Sequence, residues 1–280
     1  MRQDEFGLEA PPAGLYDYSA EITTGIDGFD AVTNADIEQF HALGFLVIHN
    51  AIDRAAIESG RAAIRDLILN RDNNNIMVEA VVGERFYELP DEERLDSVRK
   101  MMPVVPFDAR LKTASENPAL LAVLGSIMGE PAVLSQDQAM LKPPRIGREK
   151  PWHQDMAYFD YPPGTTIVGA WIALDEATPE NGCMMVIPGS HHEGPMPHWT
   201  RRDWQICDTD VRVGEIVAVP LPPGGCLLFH CLLHHGSPPT RSHRRRWALQ
   251  FHYGPASVNR LPNSDLRLNV FGTEGLDATC

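Results

Sequence analysis

The chain has 280 residues, of which 43% are hydrophobic, enough to build one packed domain. It carries 24 Lys and Arg against 38 Asp and Glu, a formal net charge of −14, so a basic surface for nucleic acid is not expected and an anionic ligand needs a local basic pocket. Five cysteines with no CxxC pair argue against a disulfide framework or a zinc knuckle and fit reduced thiols in a cytoplasm. No apolar run is long enough to span a membrane, the opening MRQDEFGLEAPPAG lacks the apolar region of a signal peptide, and Asp277–Cys280 is not a peroxisomal address, so a cytoplasmic location is expected.

Residues 1–32 are acidic, carry Pro and Gly and show no sustained periodicity. They read as a weakly ordered or surface-draped arm ahead of a single domain over 33–280. Thr33 or Asn34 caps a first helix with Ile37, Phe40 and Leu43 at helical spacing, and Gly44 stops it. Phe45–Ile48 reads as a short buried strand. Asp53 caps a second helix with Ile57, Ile64, Leu67 and Ile68 on its apolar side. Over 71–97, Asn73–Asn75 marks a turn and Asp91–Glu93 a solvated helix start; the segment is either a variable flap or a plain surface excursion. Ser115 caps a third helix over 115–129, ended by Gly129.

The texture then changes to short β-type segments between Pro- and Gly-rich turns: 132–141, 166–174, 183–187, 215–219, 226–229 and 246–253. Many short strands with such turns predict a sandwich or barrel, hence a mainly β fold with flanking helices.

Most of the histidines fall in this half. His153-Gln154-Asp155 is an H-x-D unit, and on or beside a strand its period-2 geometry points an imidazole and a carboxylate to one face. A third ligand would complete the two-histidine, one-carboxylate set typical of non-haem iron(II) oxygenases. The stretch Phe229–Ser237 offers His230, His234 and His235, and the chemistry alone does not choose among them. A dicarboxylate co-substrate that chelates iron through one end needs its other carboxylate paired, for which the arginine fork is suited. Of Arg241, Arg244, Arg245 and Arg246, the last opens the apolar segment Trp247–Leu249 and is the one expected to point inward.

Several motifs in order resemble the phytanoyl-CoA dioxygenase family: DIEQFHALGFLVI, KPP at Lys142–Pro144, PWHQD at Pro151–Asp155, AWIALDEATPENGC from Ala170, VIPGSH from Val186 and HHGSPPTRSHRRRWAL from His234, a similarity running from about residue 33 to about 255. The resemblance implies a double-stranded β-helix (a jelly-roll, cupin-like barrel) and an iron(II)- and 2-oxoglutarate-dependent dioxygenase. It matches His153 and Asp155 to the HxD ligands and His235 to the distal ligand. His230 becomes a histidine beside the site, behind the ligands, and His234 a loop neighbour and fallback ligand. Arg246 and Ser237 become the clamp on the far carboxylate of 2-oxoglutarate, Trp171 a wall of that pocket, and Gln138 and Lys100 further pocket positions; where Gln138 stands the family often has methionine. Asp155 itself argues against halogenation, since iron halogenases of this superfamily lack that carboxylate.

The implied reaction is oxidation of a C–H bond with O2, normally to an alcohol, with succinate and CO2 as co-products; desaturation, cyclisation and epimerisation can start the same way. A small-molecule metabolite or natural product is the expected substrate. An acyl-CoA is the alternative, for which Arg145, Arg148 and Lys150 would serve the phosphates. A non-catalytic metal-binding β-barrel and a zinc hydrolase are the readings from other classes, and both leave Arg246 without a task. The segments 71–97, Asp160–Gly164 and 192–212 are expected to shape the pocket, with Met77, Phe86, Tyr158, Trp199 and Trp204 as candidate lining residues.

Overall fold

Two sheets enclose a cavity in the computed structural model, which describes residues 9–70 and 75–272. In chain order the first strands are β1 (Ile26–Asp27), β2 (Phe45–His49), β3 (Ile76–Val78), β4 (Val98–Met101), β5 (Ala132–Lys142), β6 (Lys150–His153) and β7 (Val168–Ala173). They continue with β8 (Met184–Val186), β9 (Trp199–Thr200), β10 (Trp204–Gln205), β11 (Val217–Val219), β12 (Cys226–His230), β13 (His235–Ser237) and β14 (Arg246–Pro255). The larger sheet has eight strands in the order β1-β2-β12-β7-β14-β5-β4-β3, and the smaller has four, β11-β8-β13-β6. The architecture is the expected jelly roll. β9 and β10 form a separate antiparallel pair.

The central strands are buried on both faces, which is why they read as continuous apolar runs. Period 2 divides them: in β2, Leu46 and Ile48 face the helices while Phe45 and Val47 face the smaller sheet. The helix-side core takes Ile57, Ile64 and Ile68 from α2 (Arg54–Leu69), which follows α1 (Asn34–Leu43) in the chain. Each such side chain contributes about 1.5–3 kcal/mol when fully buried. The other core, between the sheets, includes Trp171, Ala248, Leu227 and Phe229 against Met184, Val186 and Trp152.

The first helix starts and stops where expected. Thr33 and Asp36 form a reciprocal capping box, and Gly44 takes the left-handed conformation (φ 85°). Asp53 caps α2 through the backbone N–H of Ala56. Asp91–Leu95 is helical (α3), as its acidic start suggested. The third predicted helix divides. Ser115 does not cap it but ends α4 (Ala109–Ser115), and Asn117 caps α5 (Pro118–Met128) through the N–H groups of Ala119 and Leu120. Pro118 favours this break, because its preset φ suits a first helical position and its ring disfavours helix before it. α6 (Asp265–Phe271) was not foreseen.

Residues 9–32 are draped over the barrel rather than weakly ordered. Leu15, Tyr16 and Phe29 are buried, β1 pairs with β2, and Ile22 N–H donates to Ala218 O. Of 71–97, Asn73 and Asn74 lie outside the described residues, and the remainder contributes an edge strand and two short helical pieces. Among the described residues the cysteines Cys183, Cys207, Cys226 and Cys231 are free and buried, and no helix is long and apolar enough to cross a membrane.

Candidate metal and co-substrate site

The H-x-D unit does not lie along one strand. His153 ends β6, and Asp155 opens a single 3₁₀ turn, Asp155–Tyr158. Gln154 between them turns away and donates to Gly194 O and Leu232 O, each at 2.8 Å. β13 lies beside β6 with His235 directly opposite His153, so the pairing register brings the second imidazole to the first. The ring centroids are 4.2 Å apart. One ligand atom from each of His153, Asp155 and His235 fits within 4.8 Å of the others, and all three residues are buried.

The protonation pattern of this trio is dictated by its surroundings. His153 Nδ1 lies 2.8 Å from Pro151 O and His235 Nδ1 lies 2.9 Å from Leu233 O. A carbonyl oxygen only accepts, so each Nδ1 carries the hydrogen and each Nε2 presents a lone pair. Those lone pairs face Asp155, with His153 Nε2 3.2 Å from Oδ1 and His235 Nε2 3.6 Å from Oδ2. Burial, with His235 and Lys150 nearby, pulls the His153 pKa down to about 4 and keeps the ring neutral. Burial works to raise the Asp155 pKa, but the facing His235 and His252 outweigh it, so the carboxyl stays well below its usual range. Two lone pairs and a carboxylate aimed at one buried point repel each other unless a cation sits among them. The donor set therefore fits a divalent metal of the nitrogen- and oxygen-binding kind.

β14 supplies the groups behind Asp155. Asp155 Oδ2 accepts from His252 Nε2 at 2.7 Å and from Gln250 Nε2 at 3.0 Å. Neither residue was singled out from the sequence. The signal was present: in RWALQFH, Arg246, Ala248, Gln250 and His252 alternate with the apolar Trp247, Leu249 and Phe251, so period 2 puts all four on the cavity side. The same strand carries Arg246, which is 2% exposed. Its guanidinium stands 5.1 Å over the Trp171 ring, and Nη1 donates to Met140 O at 2.9 Å. Its Nε has no partner, and no carboxylate pairs with it among the described residues. Burial pulls even this group down to about 10.

A cavity of about 110 Å³ joins these parts; among its walls are His153, Asp155, His235, Ser237, Arg246 and Trp171. That is several times the room one water needs. Lys100 and Gln138 also line it, as expected. Gln138 is buried with its Oε1 unpartnered. Burial, then the neighbouring Lys150, lowers the Lys100 pKa to about 8.

His230 is not at this site. Its Nδ1 accepts from Leu232 N–H at 3.0 Å, and its ring lies 5.2 Å from His191, away from the cavity walls. The place behind the carboxylate belongs to His252 and Gln250 instead. His234 is buried beside the site without lining it. Of the other candidates, Tyr158 lines the cavity, Met77 lines a separate small one, and Phe86 and Trp204 belong to the packed interior. No described residue of 71–97, Asp160–Gly164 or 192–212 is among the walls. The 192–212 segment acts from behind: Asp203 pairs with Lys150 at 2.6 Å, and Trp204 O accepts from Tyr158 Oη at 2.9 Å.

A family model described as Phytanoyl-CoA dioxygenase (PhyH) matches residues 40–248. The chain is 27% identical over 270 residues to a probable phytanoyl-CoA dioxygenase of Caenorhabditis elegans, covering 89% of this chain and 82% of that one. It is also 27% identical over 231 residues to the peroxisomal phytanoyl-CoA dioxygenase of Bos taurus, covering 77% of this chain and 66% of the bovine one. The crystal structure of EvdO2 from Micromonospora carbonacea var. aurantiaca in complex with 2-oxoglutarate has the same fold, with a TM-score of 0.67 at 24% identity, covering 86% of this chain and 97% of that one.

Proposed function

The chain belongs to the phytanoyl-CoA dioxygenase (PhyH) family, and from that premise we propose that it oxidises a C–H bond of a small-molecule metabolite or natural product. It is an iron- and 2-oxoglutarate-dependent dioxygenase. His153, Asp155 and His235 are the residues that would hold the metal, and Arg246 with Ser237 the far carboxylate of 2-oxoglutarate. The observation that carries this reading is that a cation-requiring trio and an anion-requiring arginine, with its Nε unpartnered, share one cavity. A structural metal site or a zinc hydrolase has no use for that arginine.

When bound, iron with O2 and 2-oxoglutarate supplies the oxidising power, with succinate and CO2 as co-products. The chain does the rest. The Nδ1–H bonds of His153 and His235 hold both Nε2 lone pairs on the metal position. Gln250 and His252 fix the Asp155 carboxylate. Trp171 supports the Arg246 fork from its face, and the buried walls exclude water. The part of the cavity lined by Met102, Gln136, Tyr158 and Phe159 is left for the substrate.

The small-molecule reading is favoured over a CoA thioester by the ion pairs of the basic loop. Arg148 Nε pairs with Glu79 at 3.2 Å and Lys150 with Asp203 at 2.6 Å. Two of the three cations that would meet the phosphates are thus already engaged. Succinate formation from 2-oxoglutarate under O2 with added iron(II), coupled or uncoupled, tests the reaction. His235→Ala is expected to abolish it and His234→Asn to leave it. No turnover across a broad substrate panel with iron loaded would sink the enzymatic reading.

A further inference from the structure

Lys142 is buried with 4% exposure at the end of β5, opposite Arg246 in the β5–β14 register. Its Nζ donates to Ser237 Oγ at 2.8 Å, to Pro238 O at 2.5 Å and to Ser237 O at 3.4 Å, which commits all three of its hydrogens. The chain is shaped around this side chain. A Cβ on Gly147 would stand 2.5 Å from Lys142 Cγ, and one on Gly182 would stand 2.5 Å from Cδ and 2.8 Å from Nζ. Like Arg246, Lys142 forms no ion pair among the described residues. Burial, then the charge of Arg246, drives its pKa well below the usual lysine value. Beside the buried Arg246, the charged form of Lys142 is sustained only when an anion answers both groups.

The Ser237 hydroxyl has one hydrogen. Because its oxygen accepts from Lys142 Nζ, that hydrogen points away from Lys142, and Ser237 lines the same cavity as Arg246 and Trp171. We propose that Lys142 is a positioning residue for the co-substrate anion: by donating to Ser237 Oγ it aims the Ser237 hydroxyl at the carboxylate that Arg246 binds, and it sets a second positive charge behind that carboxylate. This rests on the assignment of Arg246 as the 2-oxoglutarate anchor. It makes the pocket selective for a 2-oxo acid with a second carboxylate over an equally long one without it.

The test is calorimetric binding of 2-oxoglutarate and of 2-oxopentanoate, which lacks the far carboxylate, to the enzyme loaded with zinc in place of iron. Lys142→Met is expected to weaken 2-oxoglutarate binding about 10- to 100-fold, the worth of a charge-assisted hydrogen bond, and to change 2-oxopentanoate binding little. It should also show no further loss when Ser237→Ala is added. Equal weakening of both ligands, or fully additive losses, would reduce Lys142 to a structural lysine and overturn the inference. Arg246→Met is the control for the anchor itself. If it leaves 2-oxoglutarate binding intact, the anchor reading fails; if it weakens binding while Lys142→Met does not, only the role of Lys142 fails. Should Lys142→Met not fold, Lys142→Gln keeps a neutral donor and is expected to show the same selectivity loss at smaller size; unchanged selectivity in it overturns the inference.

Discussion

Asp155 divides its two oxygens between tasks: Oδ1 lies 3.2 Å from His153 Nε2, and Oδ2 is held by His252 and Gln250. Groups that orient a ligand carboxylate matter nearly as much as the ligand, so His252→Leu is expected to weaken iron(II) affinity about 10- to 100-fold while the fold persists. Competition with a chromogenic chelator measures this, and unchanged affinity would remove His252 from the site. Arg246 shows why a lone charge can be read from sequence. It opens an alternating strand whose odd members are apolar, so burial was legible in RWALQFH, and its need for an anion follows from burial. The misplacement of His230 has the converse cause. It ends β12, and whether a side chain at a strand end turns inward depends on the loop beyond it, where Leu232 N–H captures its Nδ1.

Among the elements, boundaries carried by side-chain chemistry were legible and those set by competition were not. Asp53 and Gly44 offered one solution each, and of Thr33 and Asn34 the first takes the cap because Asp36 answers it in a capping box. Ser115 and Asn117 are both good caps, and the proline after Asn117 tips the choice. Asn117→Ala is therefore expected to cost about 1 kcal/mol in chemical denaturation, the usual worth of an N-cap. Gly44→Ala should cost more. The position has φ 85°, and the added methyl would stand 2.6 Å from His191 Nδ1 and 2.8 Å from Leu233 Cδ1. Leu233 lies two residues before His235 and its carbonyl sets that ring's tautomer, so the same substitution is expected to lower iron affinity as well as the melting temperature.

Over the whole molecule, a buried hydrogen bond ties the N-terminal arm, and buried ion pairs the 192–212 segment, to the barrel. Glu149 accepts from Tyr16 Oη and Arg202 Nε, each at 2.5 Å, and Arg202 reaches Asp208 through two bonds of 2.7 Å. Removing one member of such a network leaves a buried charge unpaired, so Arg202→Met is expected to destabilise by about 3–5 kcal/mol. A second global property follows from three histidines that burial holds neutral: His198, with its pKa pulled to about 3, and His230 and His234, each pulled to about 4. The unfolded chain binds protons at these groups near their ordinary 6.5, before the folded one does, so stability is full above that value. It should fall as pH drops from about 6.5 towards 4, and a melting temperature flat across that window would contradict this.

The sequence by itself determined what depends on local order. It carried the alternation that makes strands, the helix caps, the motif chain that places the molecule in its family, and the residue types a metal and a dicarboxylate require. Only the tertiary structure decided what depends on register between distant strands. His235 meets His153 because β13 pairs with β6, and Gln250 and His252 reach Asp155 because β14 lines the facing sheet. Lys142 reaches Ser237 across 95 positions. Hydrogen bonds and charge act over a few ångströms in space, and period 2 says which face of a strand a side chain takes without saying which strand will stand beside it.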